Sequence, residues 1–226
     1  MNDPETPNSS WKGLFRAGGV AALIIAAFTI IQIIVFLTNP PPTTAEGWFT
    51  LFQTHKLIGL VNMDLLLVAD NVLAIPVLLA LYMILRQDKK STITIAVTLG
   101  FIGIATYFAS NTAFQMLSLS NKYAAASTET QRAMYLAAGQ GMLAIYQGTA
   151  FYVGNFLGTI ALLIISVVMV QSKVFNKATG CVGIAANVLG LGLFVPTTIG
   201  LAASVVSVVF LMVWWLLIAR TFFRLR

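Results

Sequence analysis

Six apolar runs, each about long enough to cross a lipid bilayer, constrain the fold of this chain more than any other feature. About 20 helical residues cross a hydrocarbon core about 30 Å thick, and a water-soluble domain carries about 25% charged residues. Here only 9% of the 226 residues are charged, and 58% are hydrophobic. We therefore predict an all-α integral membrane bundle of six transmembrane helices. The predicted spans are about residues 17–37, 57–85, 93–117, 145–170, 178–195 and 199–219.

Lysine and arginine residues are distributed unequally between the two ends of these spans. Cytoplasmic connections carry an excess of them, and one side has ten whereas the other has only Lys56, Lys122 and Arg132. We therefore expect both termini in the cytoplasm, in a plasma (inner) membrane. Residues 1–16 and 223–226 are the predicted tails of a transmembrane domain at 17–222. Because apolar runs separate the basic residues, the net charge of +6 does not indicate nucleic-acid binding.

Two of the predicted connections on the outer side are long, whereas the cytoplasmic ones are short. The first outer connection, residues 38–56, contains Trp48, Phe49 and Phe52. Aromatic side chains suit the headgroup region of a bilayer, so we expect this connection to lie at the interface.

The second outer connection, residues 118–144, contains a pattern that opens a helix. Thr128 followed by Gln131 is the arrangement of a capping box. Two interpretations remain open for the long connections. They are ordinary connectors, or they form a partly ordered outer cap with short interfacial helices.

The second apolar run carries three polar residues, Asp64, Asp70 and Asn71. An intramembrane carboxylate costs about 2.5–3.5 kcal/mol on insertion scales, so each aspartate must contact polar groups or water, or carry a proton. On one continuous helix, Asp64 and Asn71 share a face to within about 20°, whereas Asp70 points about 120° away from Asp64. This spacing disfavours a carboxylate dyad of the aspartic-protease kind.

Other spans offer polar partners for these aspartates. On a continuous third helix, Tyr107, Asn111 and Gln115 form one stripe. We predict an outward-facing cavity with a polar floor, lined by Asp64, Asp70, Asn71, Tyr107, Asn111, Gln115 and Asn155. The alternative is that polar groups bond neighbouring helices at about 0.6 kcal/mol each. We favour that alternative for Gln32, Asn187, Ser204 and Ser207.

Residue types limit the chemistry that the chain can perform. It has one histidine, His55, and one cysteine, Cys181, which excludes a three-histidine zinc site and a cysteine-based metal site. We expect no metal, no cofactor and no catalytic residue. The glycines favour close helix packing instead, at Gly154 and Gly158 in the small-xxx-small pattern and at Gly183 and Gly190.

Two segments carry a family resemblance. They are LLLVADNVLAIPVLLALYMILR at residues 65–86 and the segment that begins SNTAFQMLSLSNKYAAAS at residue 110. The chain from about Gly13 resembles a family of bacterial multi-helix membrane proteins catalogued as domain of unknown function 4386. The matching positions are Asp70, Asn111 and residues 120–126. The resemblance implies a bacterial or archaeal integral membrane protein, and it assigns no catalytic residue.

Three functions are compatible with these patterns. The leading hypothesis is that the protein binds, and as a further step transports, a small apolar or lipid-like molecule in the predicted cavity. The alternatives are a structural or regulatory subunit of a membrane complex, and an intramembrane acid/base enzyme that acts on a lipid. The expected partners are membrane lipid and a small apolar ligand, with a second copy or a partner membrane subunit in the structural case.

Overall fold

The computed structural model describes residues 11–225, and this range is almost wholly helical. It contains nine α-helices and one short 3-10 helix within the described residues, and no strand among them. The helices are α1 (Lys12–Thr38), α2 (Ala45–Thr54), α3 (Lys56–Asn62), α4 (Leu65–Ser110), α5 (Ala113–Ala125), α6 (Glu129–Tyr146), α7 (Thr149–Gln171), α8 (Lys177–Gly190), the 3-10 helix (Leu191–Phe194) and α9 (Thr198–Leu225).

Five helical stretches are long and apolar enough to cross a membrane. They are Lys12–Thr38, Leu65–Ala125, Glu129–Gln171, Lys177–Phe194 and Thr198–Leu225. The all-α fold is confirmed for the described residues, and the apolar helices are compatible with a membrane protein. The count of six spans stays a prediction, because it depends on how the 61-residue stretch Leu65–Ala125 is divided. The helix α4 within that stretch bends at Lys89, whose backbone is not helical (φ −144°, ψ 67°).

The second predicted span is not one continuous helix, and this corrects the expectation for Asp64. The helix α3 ends at Asn62, Asp64 adopts a left-handed backbone conformation (φ 63°, ψ 27°), and α4 begins at Leu65. Aspartate adopts this conformation more readily than most residues, because its short polar side chain can form local hydrogen bonds. The face shared by Asp64 and Asn71 on a single helix therefore does not exist.

Two further predicted spans are also interrupted. The helix α4 ends at Ser110 and α5 begins at Ala113, so the predicted single stripe of Tyr107, Asn111 and Gln115 is wrong. The helix α6 ends at Tyr146 and α7 begins at Thr149. Breaks thus occur near residues 63, 111 and 147.

The structure also corrects the expected exposure of the aromatic residues in the first long connection. Trp48, Phe49 and Phe52 lie in α2 and are all buried, with Phe52 fully inaccessible. They form a hydrophobic core with Met63 of the α3–α4 break and Met116 of α5. Tertiary contacts therefore bury side chains that their amphipathic character alone had placed among lipid headgroups.

The capping box predicted at Thr128 and Gln131 forms in part. The Thr128 side chain accepts a hydrogen bond of 3.2 Å from the backbone amide of Gln131. The Gln131 side chain in turn accepts one of 3.1 Å from the amide of Ser127. The first bond satisfies a donor that a helix leaves unpaired at its start, and the second holds the residue that precedes the Thr128 N-cap.

The chain divides into two compact units. The first comprises residues up to Ala27, Asp70–Gly103 and residues from Phe156 onward. The second comprises Phe28–Ala69 and Ile104–Asn155, and it contains the breaks near residues 63, 111 and 147.

Helices α8 and α9 pack closely in the first unit through glycine. A Cβ atom on Gly183 would lie 2.5 Å from Nε1 of Trp214 and in contact with the Ser166 hydroxyl. At the other end of α8, Gly190 faces Ser207 at 3.7 Å. The prediction of close packing is therefore confirmed at Gly183, whereas a Cβ atom would make only ordinary van der Waals contact at Gly190 and would meet no atom within 4 Å at Gly158. The helices α8 and α9 run antiparallel.

Basic residues collect at one end of the first unit. The rings of Phe15 and Phe222 lie 6.2 Å apart, which brings the start of α1 beside the end of α9. Since α8 runs antiparallel to α9, the start of α8 lies at this end too. This basic end, as we call it, carries Lys12, Arg16, Lys177, Arg220 and Arg224.

A valine at position 183 tests the packing of α8. We expect Gly183→Val to lower the free energy of unfolding by about 1–3 kcal/mol, because the new side chain overfills a packed site. The matched control is Gly158→Val, since a Cβ atom at Gly158 meets no atom within 4 Å. Thermal unfolding in detergent measures both variants, and equal losses would contradict the packing described here.

Candidate functional site

The Asp64 side chain is buried in the second unit. It is 5% exposed, and Asp64 is the one non-glycine residue with positive φ among residues 11–225. Although it precedes α4, its side chain makes no capping hydrogen bond to that helix. Its carboxylate is therefore directed at other parts of the unit.

A tyrosine hydroxyl satisfies this carboxylate. Tyr146, the last residue of α6, donates a hydrogen bond of 2.6 Å to Oδ2 of Asp64. A length near 2.6 Å is typical of a hydroxyl bonded to a charged acceptor. The Tyr107 side chain, 4% exposed, also faces Asp64. The ring of Phe151 lies 6.2 Å from that of Tyr107 and 6.4 Å from that of Tyr146. The two tyrosines that face the carboxylate therefore pack against a common aromatic ring.

Asn111 ties the second helix break to the first. Its amide nitrogen donates a hydrogen bond of 2.8 Å to the carbonyl of Met63, and its amide oxygen accepts one of 3.2 Å from the backbone of Ala113. One side chain thus satisfies a backbone carbonyl exposed where α3 ends and a backbone amide exposed where α5 begins. Such groups cost free energy when they are buried without a partner.

The neighbouring residue bonds to the helix that leads to the third break. The Thr112 hydroxyl donates a hydrogen bond of 3.3 Å to the carbonyl of Met142 in α6. We call the set of Met63, Asp64, Asn111, Thr112 and Tyr146 the helix-break junction. It joins three interruptions that are far apart in sequence by side-chain hydrogen bonds.

Two side-chain amides beside the junction have a buried oxygen atom that accepts no hydrogen bond from the described residues. Gln32 donates a hydrogen bond of 3.1 Å to the carbonyl of Val61, and Asn62 donates one of 2.8 Å to the carbonyl of Asn39. The side-chain oxygens of both amides are buried and have no hydrogen-bond partner among the described residues. Gln32 is 5% exposed and Asn62 is 1% exposed. A buried acceptor without a donor is a place where a water molecule or a ligand hydroxyl would be stabilised.

The structure brings together only some of the residues that the sequence singles out. Asp64, Tyr107 and Asn111 meet at the junction, whereas Gln115 is exposed on α5. Asn155 donates a hydrogen bond of 2.9 Å to the carbonyl of Phe151 in its own helix.

Asp70 and Asn71 belong to the first unit, and both are partly buried. Oδ1 of Asp70 is buried and has no hydrogen-bond partner in the described part of the chain. Asp64, which precedes α4, and Asp70, which lies within it, are therefore in different surroundings, since Asp64 is bonded to a tyrosine.

The sequence reasoning did not identify Tyr146 as a site residue. It lies where a long connection was expected to join the fourth span, and its partner is 82 residues away. The available signal was the polar and small pair Gln147-Gly148, which marks the end of α6. Of the residues expected to bond between helices, Gln32 does so, whereas Asn187 donates to the carbonyl of Gly183 in its own helix.

The described residues contain no set of side chains arranged to bind a metal ion. No group of three His, Cys, Asp or Glu side chains is placed there to hold an ion. His55 lies at a break between α2 and α3 and is exposed, whereas Asp64 is buried against Tyr146. The cysteine, Cys181, is free and exposed.

Replacing Asn111 tests how the junction is held together. We expect Asn111→Leu to cost about 1–3 kcal/mol, because it leaves the buried carbonyl of Met63 without a donor. The control is Gln115→Leu, an exposed position where a change within about 0.5 kcal/mol is expected. Chemical unfolding in detergent, followed by circular dichroism, compares the two, and a silent Asn111→Leu would contradict the role assigned to this amide.

Asp64 and Asp70 provide a matched comparison of burial with and without a hydrogen-bond partner. Asp64→Leu should destabilise by about 2–5 kcal/mol, because it strands the Tyr146 hydroxyl and places a branched side chain in the left-handed conformation. Asp70→Leu should be neutral or stabilising, because it removes a buried oxygen that has no partner. The melting temperatures of the two variants measure the contrast, and the reverse order would show that Asp70 rather than Asp64 has the favourable contacts.

Comparisons with known proteins identify no relative of this chain. No family model matches the chain, and no curated protein and no solved structure matches it. The function is therefore inferred from the residues of this chain and their contacts.

Proposed function

We propose that this chain is a six-span protein of the plasma (inner) membrane with both termini in the cytoplasm. The helix α4 has 46 residues, which would extend roughly 69 Å at about 1.5 Å per residue, more than twice the thickness of a hydrocarbon core of about 30 Å. Its bend at Lys89, with Arg86 and Lys90 nearby, suits a cytoplasmic turn between two crossings. The collection of cations at the basic end of the first unit supports the same orientation.

We propose further that the second unit binds a small apolar or lipid-like molecule at the helix-break junction. The observation that carries this proposal is the meeting of three helix breaks around the buried carboxylate of Asp64. In membrane proteins, non-helical backbone is tolerated where it is buried in protein or lines a cavity. Discontinuous helices with exposed backbone groups are also a recurrent way to build a binding site.

The ligand would use groups that the fold leaves available. The unpaired side-chain oxygens of Gln32 and Asn62 accept hydrogen bonds, so they suit a ligand hydroxyl or amine. The aromatic side chains of Tyr107 and Phe151 suit its apolar part. In this proposal Asp64 orients the polar group. The left-handed backbone at Asp64 would be the pivot if the molecule is also transported.

A second function has one observation in its favour. A Cβ atom added at Gly158 would meet nothing within 4 Å, and Phe156 close by is 46% exposed. A small residue facing open space on an apolar helix suits close approach by a helix of another chain. A structural or regulatory subunit of a membrane complex is therefore the alternative, and it predicts that the purified protein carries another chain or a second copy.

A photoreactive probe tests the proposed binding site. A long-chain alcohol that carries a diazirine should label peptides containing residues of the junction in the purified protein, and Asp64→Asn should reduce this labelling severalfold because the orienting carboxylate is lost. The control is Asp88→Asn, which replaces an exposed carboxylate of α4. Mass spectrometry of the peptides locates the label. Labelling spread evenly over exposed apolar helices in all three proteins would contradict the proposal.

A further inference from the structure

An open groove runs along the first unit between α1 and α4. Its volume is about 460 Å³, which lies within the range of about 300–1,000 Å³ usual for small-molecule sites. The helix α1 lines it from Gly13 to Ile24, and α4 contributes Leu73 and Pro76. The lining is apolar except for one charged side chain, Arg16.

The spacing of residues along α1 explains the shape of this groove. Gly13, Ala17 and Ala21 follow one another at intervals of four, which forms a ridge of small side chains. Arg16 and Val20 belong to the adjacent ridge, where side chains are long. A ridge of small residues beside a ridge of large ones leaves a channel parallel to the helix.

The dimensions of the groove suit a lipid chain. From Gly13 to Ile24 the helix rises roughly 16 Å at about 1.5 Å per residue, which is close to half of a hydrocarbon core about 30 Å thick. The groove thus covers about one leaflet. A partner helix about 10 Å wide would occupy roughly 1,200 Å³ over the same length, which is more than the groove provides.

The charge of the groove lies at the end where a headgroup would be. Arg16 is exposed, one turn after Lys12, and the basic end also carries Arg220 and Arg224 of α9. Among residues 11–225 the one ion pair joins Arg132 to Glu129, so no described carboxylate neutralises Arg16. A planar guanidinium binds phosphate oxygens by two parallel hydrogen bonds.

We propose that this groove binds an anionic membrane phospholipid, with one acyl chain along Ala17, Ala21 and Leu73 and the phosphate at Arg16. Lys12 lies near enough in sequence to contact the headgroup as well. The inference depends on the proposed membrane embedding and cytoplasmic N-terminus, and on no part of the helix-break junction. It assigns a role to α1, for which hydropathy alone predicts only an apolar span.

Native mass spectrometry of the full chain tests this assignment. The protein is placed in nanodiscs that contain phosphatidylglycerol and phosphatidylcholine, released, and weighed with its retained lipids. We expect one phosphatidylglycerol molecule to be retained in preference to phosphatidylcholine. Arg16→Ala should reduce this preference roughly tenfold, the loss expected for a hydrogen-bonded charge pair, and Arg16→Lys should restore part of it.

Matched variants separate a site from general attraction to charge. Arg132→Ala removes an exposed cation from the second unit and should leave the preference unchanged. Ala17→Trp fills the groove and should abolish retention, whereas Val205→Trp, at a residue of α9 that is 61% exposed, should not. Size-exclusion profiles and helix content confirm that each variant is folded.

The outcomes distinguish this inference from the proposed function. Equal effects of Arg16→Ala and Arg132→Ala, retention that survives Ala17→Trp, or equal retention of both lipids would each overturn the groove site. Labelling of Trp11→Cys in a Cys181→Ser background by a membrane-impermeant reagent from outside intact cells would instead overturn the cytoplasmic N-terminus, and the background is needed because Cys181 is itself free and exposed. Lipid retention that is unchanged in Asp64→Asn is expected, because the junction plays no part in the groove.

Discussion

The hydrogen bond from the Tyr146 hydroxyl to the buried carboxylate of Asp64 is the interaction on which the second unit depends. A carboxylate within an apolar chain needs a partner, and here the partner is a tyrosine that closes α6. The same aspartate holds the left-handed turn between α3 and α4. Burial of this carboxyl group and the break in the helix are therefore one structural feature, and Asn111 extends it to the break at the start of α5.

Local sequence properties predicted the elements that depend on hydropathy alone. The first and last spans, expected near residues 17–37 and 199–219, correspond to Lys12–Thr38 and Thr198–Leu225, because apolar length is summed along the chain. The breaks at Asp64 and Asn111 were not predictable in this way. Neither has a glycine or proline beside it, and each is stabilised by contacts with residues far along the chain.

Part of the candidate site was also predicted from hydropathy. Asp64, Tyr107 and Asn111 are conspicuous because hydrocarbon disfavours their side chains, and the structure places all three at the junction. Tyr146 is not conspicuous, because tyrosine is common where spans meet water. Trp48 and its aromatic neighbours were misplaced among headgroups since only the tertiary structure shows that Met63 and Met116 cover them.

A double-mutant cycle on Asp64 and Tyr146 tests the central claim most directly. The free energies of unfolding in detergent are measured for the wild type, Asp64→Asn, Tyr146→Phe and the double variant. Residues in contact show coupling energies of about 0.5–3 kcal/mol, and we predict a favourable coupling in the upper half of that range because the hydrogen bond is short and Asp64 is buried. Losses that simply add would show that the hydroxyl and the carboxylate do not depend on each other, which would contradict this account of the junction.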